Sequence, residues 1–408
     1  MSATTHHGYE PFNMKDPFPA YAELRREEPV MFDERIGYYV VSRYDDVKAT
    51  FEDWESFSSE NAQAPVRPMG APAKKIMEEG GFTAYSGLSA RVPPEHTRLR
   101  TVASKAFTPR RYKVLEPAIR ENVDIMIDKM LAAGEPGDIL SDIANDLPTI
   151  TILTLFGVPI SRIPEIKKWS ASRALMTWAE LTDEEQIPHA HNLVEYWNFC
   201  QEVVANNKAN PGQDNLAADL LKLQAEGNDI SDHEIASLLY SMLFAGHETT
   251  TTLISNSLRM LLTNPETYQA LVEDPEKIPG AIDEVLRMAG SIVAWRRKAT
   301  RDAEIAGVKI PEGSGVLLLM GSANRDASVF ENPDVFDIGR ENARNHMSFG
   351  YGIHFCLGNL LAKLQGKVAL EEITKKIPTL RLMPGADINF IENLSFRVPT
   401  SVPVEWTK

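Results

Sequence analysis

Apolar residues recur at the three- and four-residue spacing of helices through most of this chain, and at the two-residue spacing of strands only near its ends. Residues 16–30 open on Asp16-Pro17 and set Tyr21, Leu24 and Arg25 at helical spacing, which predicts a first helix. Tyr38–Val41 is β-branched and aromatic and reads as a strand running into a polar helix over 45–52. Proline and glycine interrupt 58–94, so a long loop with one short helix is expected there; such loops commonly cover a site. Helical patterns follow at 96–107, 114–133, 143–155, 162–178, 182–207 and 216–226. The longest, 231–262, begins Ser231-Asp232-His233-Glu234, the order of a capping box. Helices at 264–272, 277–288 and 362–376, strands at 303–308 and 314–320, and strands with turns over 381–406 complete the pattern. No repeat, low-complexity tract or linker appears. The expectation is one domain over 1–408, mainly α with a minor β portion.

Composition narrows the function. A chain of 408 residues, 43% hydrophobic, can bury a large core. A net charge of −15 repels phosphate backbones, so nucleic acid is excluded as an expected partner. Cys200 and Cys356, the two cysteines, argue against a disulfide scaffold and suit a reducing cytosol. Residues 1–16 are polar, and no window approaches the ~18 apolar residues of a membrane span. A cytoplasmic protein without a membrane partner is expected.

Candidate chemistry gathers around Phe349-Gly350-Tyr351-Gly352-Ile353-His354-Phe355-Cys356-Leu357-Gly358. A cysteine alone is more often a buried, inert thiol. Here two glycines precede it and one follows, so the backbone can turn tightly and bring amide N–H groups toward the sulfur. A helix containing Ala362 follows, and its positive end favours thiolate over thiol. The segment resembles the haem-binding loop of the cytochrome P-450 family. The resemblance implies that fold and haem b (iron protoporphyrin IX), with Cys356 as the thiolate ligand of the iron. It places Phe349, Gly350, His354 and Gly358 around the cofactor.

Three further segments carry the resemblance. Glu284-Val285-Leu286-Arg287 sets an acid and an arginine at i, i+3, by itself an ordinary surface pair. In the family this pair is buried and joined by a downstream arginine, here Arg340 of Phe330-x-x-Pro333-x-x-Phe336-Asp337-x-x-Arg340. The long helix supplies Ala245-Gly246-His247-Glu248-Thr249-Thr250, where glycine and β-branched residues are poor helix formers. The resemblance gives them a use. Ala245 and Gly246 border the cofactor, Gly246 leaves room for dioxygen in a locally relaxed helix, and Glu248 with Thr249 delivers protons. His247 is read as structural. The fourth segment, Pro93-Pro94-Glu95-His96-Thr97-Arg98-Leu99-Arg100, sets His96 and Arg100 at i, i+4. In the family this pair meets the haem propionates with a basic residue matching Arg297 and with His354. Arg296 remains a rival for Arg297, because a one-residue shift exchanges the faces of a strand. Arg91-Val92 stands where an acidic residue is common in the family.

The activity implied is insertion of one atom of O2 into a substrate, with thiolate donation favouring O–O cleavage. Two cysteines cannot hold an iron–sulfur cluster and no flavin signature appears. Electrons are therefore expected from a ferredoxin or a flavin–iron–sulfur reductase. Arg98, Arg100, Lys105, Arg110, Arg111 and Lys113 form an acid-free stretch that suits an acidic donor. Alignment with the family offers Trp178, Phe244, Ile292, Val293, Ala294, Ser395 and Phe396 for the substrate pocket. These carry no charged anchor, so a small hydrophobic, aromatic molecule undergoing hydroxylation or O-dealkylation is expected. A terpenoid, fatty acid or other aliphatic substrate is the alternative, as is a haem-thiolate sensor without turnover. The stretches 291–297 and 393–399 look like the bacterial group that includes reductase-fused and herbicide-degrading members.

Overall fold

The computed structural model describes residues 6–85 and 87–407. Helices hold 56% of the chain and strands 9%, which meets the mainly α expectation. The chain divides into two compact units.

The first unit takes in residues up to Ser58, Tyr112–Pro148 and everything from Thr249 onward. Its sheet runs in the order Val30–Asp33, Tyr38–Val41, Gly315–Leu318, Trp295–Ala299, Phe57–Ser58. Tyr38–Val41 and Gly315–Leu318 pair in parallel and the other neighbours antiparallel. Val41, Phe57, Val316, Leu318, Phe330 and Met347 form the core against it. The expected strand at 303–308 is instead a small hairpin, Ala303–Ile305 with Val308–Ile310. Ala306 and Gly307 turn it at φ +48° and +82°. Trp295–Ala299, Val30–Asp33 and Phe57–Ser58 are strands that periodicity does not reveal. The helices Pro109–Ala133 and Asn359–Lys376 are tied by Arg120, which bonds Glu371 Oε2 at 2.8 Å and Glu372 Oε1 at 2.5 Å.

The second unit takes in Ser59–Arg111 and Thr149–Glu248. Within the expected loop of 58–94 lies the short helix Ala71–Glu79. Asp183–Ala209 starts from Thr182, whose hydroxyl accepts from Glu185 N while Glu185 accepts from Thr182 N, a complete capping box. The helix packs through Tyr196, stacked on Trp169 of Ile163–Trp178 at 5.6 Å, and through Trp197 and Cys200, both fully buried. The helix expected at 143–155 is split into a short π-helix, Leu140–Ala144, and Leu147–Phe156. The long helix Asp232–Thr263 begins as expected: Ser231 Oγ accepts from Glu234 N and Glu234 Oε2 accepts from Ser231 N. The chain passes from the second unit to the first along this helix, between Glu248 and Thr249. Among the described residues no helix is long and apolar enough to cross a membrane.

Candidate active site

In the first unit the cysteine segment is held from both ends. Gly350 and Gly352 lie at φ +70° and +68°, backbone that a side chain would strain, and they turn the chain back so that Cys356 N donates to Phe349 O at 2.9 Å. Gly352 packs against the carbonyl of Phe51, where a Cβ would crowd it. Asn359 Nδ2 donates to Cys356 O at 2.8 Å, and Gly358 caps the helix Asn359–Lys376 that leads away from the sulfur. Cys356 is half-buried and not in a disulfide, as are Phe349, His354 and Gly358 in exposure. The phenol of Tyr112 lies close enough to feel the Cys356 charge, and burial and that charge push its pKa up. Tyr112 carries no local motif, so sequence reasoning misses it.

Immediately before this segment, Ser348 Oγ donates to Leu286 O at 2.5 Å and Met347 N to Asn324 Oδ1 at 2.6 Å. Leu286 belongs to the helix Ile278–Ala289, which also carries Glu284 and Arg287. Arg287 Nε and Nη2 fork onto Glu284 at 2.7 and 2.8 Å, and Arg340 Nε reaches the same carboxylate at 3.2 Å. The remaining donors go to backbone: Arg287 to Asn324 O and Pro333 O, Arg340 to Glu331 O and Asn332 O. The sequence placed these three residues together, and together they are.

Arg296 and Arg297 are both buried, on opposite faces of their strand. Arg296 neighbours Tyr38, whereas Arg297 stacks on Phe51 at 4.8 Å, the residue that also touches Gly352. The cysteine side of the strand therefore belongs to Arg297. Burial pushes its guanidinium down to about 9. The candidate pocket residues of this unit meet at an isolated β-bridge: Val293 N donates to Ser395 O at 2.8 Å, Ser395 Oγ to Ala294 O at 2.6 Å, and Ile292 bridges Phe396. Thr249 O accepts from Ser291 Oγ at 2.6 Å, joining the long helix to the residue before this bridge.

In the second unit His96 and Arg100 share one face of the helix Glu95–Ala106. Burial, and then the Arg100 charge, hold His96 at about 4, so its ring is neutral at pH 7. The long helix runs without a break through Gly246. An added Cβ there would lie 2.7 Å from Ile152, so the side chain that Gly246 lacks leaves room for packing, and Ala245 is the exposed position of the segment. Glu248 is half-buried. His247 is buried, with Nδ1 2.6 Å from Leu243 O and Nε2 3.4 Å from Glu248 Oε1. A carbonyl only accepts, so Nδ1 is the donor to Leu243 O. Trp178 and Phe244 are buried. Phe244 carries a charge on its face that the candidate list lacked: the Arg173 guanidinium, 4.9 Å from the ring centre.

The basic stretch is less basic in three dimensions. Arg98 pairs with Glu234 and Asp229, and Arg111 with Asp214 at 2.9 Å and Asp219 at 2.8 Å. Lys105 and Arg110, exposed, have no acid partner among the described residues, and Lys113 is exposed in the first unit.

These donors suit one kind of group. Among the described residues no cluster of three or more His, Cys, Asp or Glu could hold a bare metal ion. A single sulfur at the start of a helix suits a metal whose other ligands come from a macrocycle. In the same unit, the deeply buried guanidinium of Arg297 suits a carboxylate of such a macrocycle. The cytochrome P450 family model matches residues 31–398.

The chain belongs to the cytochrome P450 family. It is a monooxygenase whose cofactor is haem b. It is similar to mycinamicin IV hydroxylase/epoxidase of Micromonospora griseorubida, 34% identical over 95% of this chain and 94% of the relative. The structure of cytochrome P450 CREJ in complex with (4-ethylphenyl) dihydrogen phosphate matches with a TM-score of 0.97 at 67% identity, covering 98% of this chain and 100% of that one. An intact type IV self-sufficient cytochrome P450 monooxygenase matches with a TM-score of 0.92 at 32% identity, covering 99% of this chain and 53% of that one. The resemblance to a group with reductase-fused members is thus met.

The buried carboxylate generates a stability prediction. Glu284→Gln leaves two guanidinium groups facing an uncharged amide, and should lower the stability of the haem-loaded protein by about 3–5 kcal/mol. An unfolding midpoint within experimental error of the parent would contradict it.

Proposed function

We propose that this chain is one haem domain that oxygenates a small aromatic molecule esterified with phosphate. The observation that carries the substrate class is the 67% identical, full-length match to a structure holding (4-ethylphenyl) dihydrogen phosphate. The candidate pocket residues agree with its aromatic part: Trp178, Phe244, Ile292, Val293, Ala294 and Phe396 offer apolar surface, and Ser395 spends its hydroxyl on Ala294 O.

When bound, haem b supplies dioxygen activation and the transfer of one oxygen atom to carbon. Cys356 would hold the iron through its thiolate, kept anionic by the helix end and the turned backbone around it. Arg297, His354, His96 and Arg100 would hold the propionates, and Phe349, Gly350, Gly358, Ala245 and Gly246 would border the ring. Thr249 Oγ1 would give up a proton, and the Glu248 carboxylate would return one from solvent. His247, packed beside Glu248, would help to place its carboxylate. Glu284, Arg287 and Arg340 would brace the cysteine segment without taking part in chemistry.

Electrons would come from a separate ferredoxin or flavin–iron–sulfur reductase. Lys105 and Arg110 are among the cations left to meet an acidic donor, because Arg98 and Arg111 are neutralised within the chain. Reversing Lys105 and Arg110 together to glutamate should slow reduction several-fold at low salt and flatten its salt dependence. Stopped-flow reduction with no change in either quantity would remove this docking face.

Turnover of 4-ethylphenyl phosphate with reduced ferredoxin and O2 should give a hydroxylated ester. In Thr249→Ala, O2 consumption should continue while product per O2 falls about tenfold or more. A parent enzyme that oxidises free phenols or aliphatic acids and leaves aryl phosphates untouched would overturn the substrate reading.

A further inference from the structure

Arg173 sits in the middle of the helix Ile163–Trp178 and is only 5% exposed. Its Nη1 donates to Tyr240 O at 2.6 Å, and its guanidinium lies 4.4 Å from the ring centre of Tyr240 and 4.9 Å from that of Phe244. No carboxylate pairs with it among the described residues. The chain carries 57 acids against 42 bases, so the lack of an acid here is not for want of supply. A guanidinium taken this far out of water is tolerated when an anion or a full set of acceptors meets it. One carbonyl and two ring faces answer only part of its five donors.

A second observation points the same way. Ser237 and Ser241 stand four residues apart on the long helix, and Phe244 follows three residues later, so all three share one stripe with Tyr240 at its edge. Both hydroxyl oxygens are buried and make no hydrogen bond. Gly87, at φ +49°, brings the loop backbone against Ser241 and closes that end of the stripe; a Cβ at Gly87 would run into the hydroxyl. Two unmet hydroxyls and an acid-free guanidinium are thus gathered on one stretch of the long helix, Ser237 to Phe244. The stripe leads on to Glu248, four residues beyond Phe244, which is about 6 Å of helical rise. A substrate whose anionic end rests at Arg173 therefore extends its ring past Phe244 toward the proton-handling residue.

We propose that Arg173 anchors the phosphate of an aryl phosphate substrate, with Ser237 and Ser241 as further donors, and so selects the ester over the free phenol. The inference rests on the substrate class proposed above and adds the residue that recognises it. A guanidinium offers two parallel N–H groups to two phosphate oxygens, a match that neither a phenol nor a hydrocarbon can use. The aromatic faces of Tyr240 and Phe244 hold the fork in one orientation, so little freedom is lost on binding.

The test is a Soret titration of the haem-loaded full chain with 4-ethylphenyl phosphate and with 4-ethylphenol, read as the ratio of the two dissociation constants. The parent should favour the ester by about 30-fold or more, and Arg173→Gln should bring the ratio to within about threefold of one. Arg173→Lys keeps a charge and loses the fork, and should fall between the two. A parent with no preference for the ester sinks the substrate class itself. A parent that prefers the ester while Arg173→Gln keeps the full preference leaves the class standing and removes Arg173 as its anchor. If Arg173→Gln fails to load haem, Arg173→Lys decides: a drop of about tenfold in the ratio supports the anchor, and an unchanged ratio contradicts it.

Discussion

The carboxylate of Glu284 is shared between two guanidinium groups, and the position of the cysteine segment follows from that sharing. With no exposure at Glu284 and Arg287, the charges cannot be rehydrated by a small shift, so each is confined to the partner it has. One anion cannot neutralise two cations. Arg287 and Arg340 therefore also gather the carbonyls of Asn324, Glu331, Asn332, Pro333 and Val335, which locks the irregular chain over 324–340 against the helix Ile278–Ala289. Ser348 and Met347 fasten the next stretch to the same helix and to Asn324, and the glycine turns leading to Cys356 begin two residues later. On the proposed reading, a buried ion cluster that does no chemistry stiffens the position of the sulfur.

Charge is distributed unevenly between surface and interior. The net charge of −15 is carried outside, while Arg173, Arg287, Arg296 and Arg297 lie inside. Solvated carboxylates cost little, but each buried guanidinium needs an answer. For Arg287 the answer is Glu284. For Arg297, pushed down to about 9 by burial, a cofactor carboxylate fits, and for Arg173 a substrate phosphate. Outside, the apparent basic stretch of 98–113 loses two of its cations to Glu234, Asp229, Asp214 and Asp219, which lie far along the chain.

What could be read from the sequence was local or motif-borne. The capping box at Ser231 needs only residues three apart, and it forms as its order implies. The Glu284–Arg287–Arg340 cluster was readable through the family pattern, although its span of 56 residues has no local periodicity. The strand at Arg296 and Arg297 was readable only through the family pattern, because Arg296, Arg297 and Lys298 follow one another without alternation; Arg296 and Arg297 are both buried, on faces covered by Tyr38 and Phe51. The hairpin at 303–310 reads in the sequence as one strand over 303–308, because the turn at Ala306-Gly307 is too short to interrupt the apolar pattern. Arg173 left no signal at all. An arginine among Ala, Ser, Leu and Met reads as the wet side of a helix, and only Tyr240 and Phe244, from another helix, make it an interior cation.

The whole account depends on sulfur ligation by Cys356, and the reduced carbon monoxide complex reports it directly, since thiolate donation moves the Soret band of that complex far to the red. The haem-loaded parent should show the red-shifted band, and Cys356→His should load haem and show the band at the position typical of imidazole ligation. A folded, haem-loaded parent without the red shift, or a Cys356→His variant that retains it, would contradict the account.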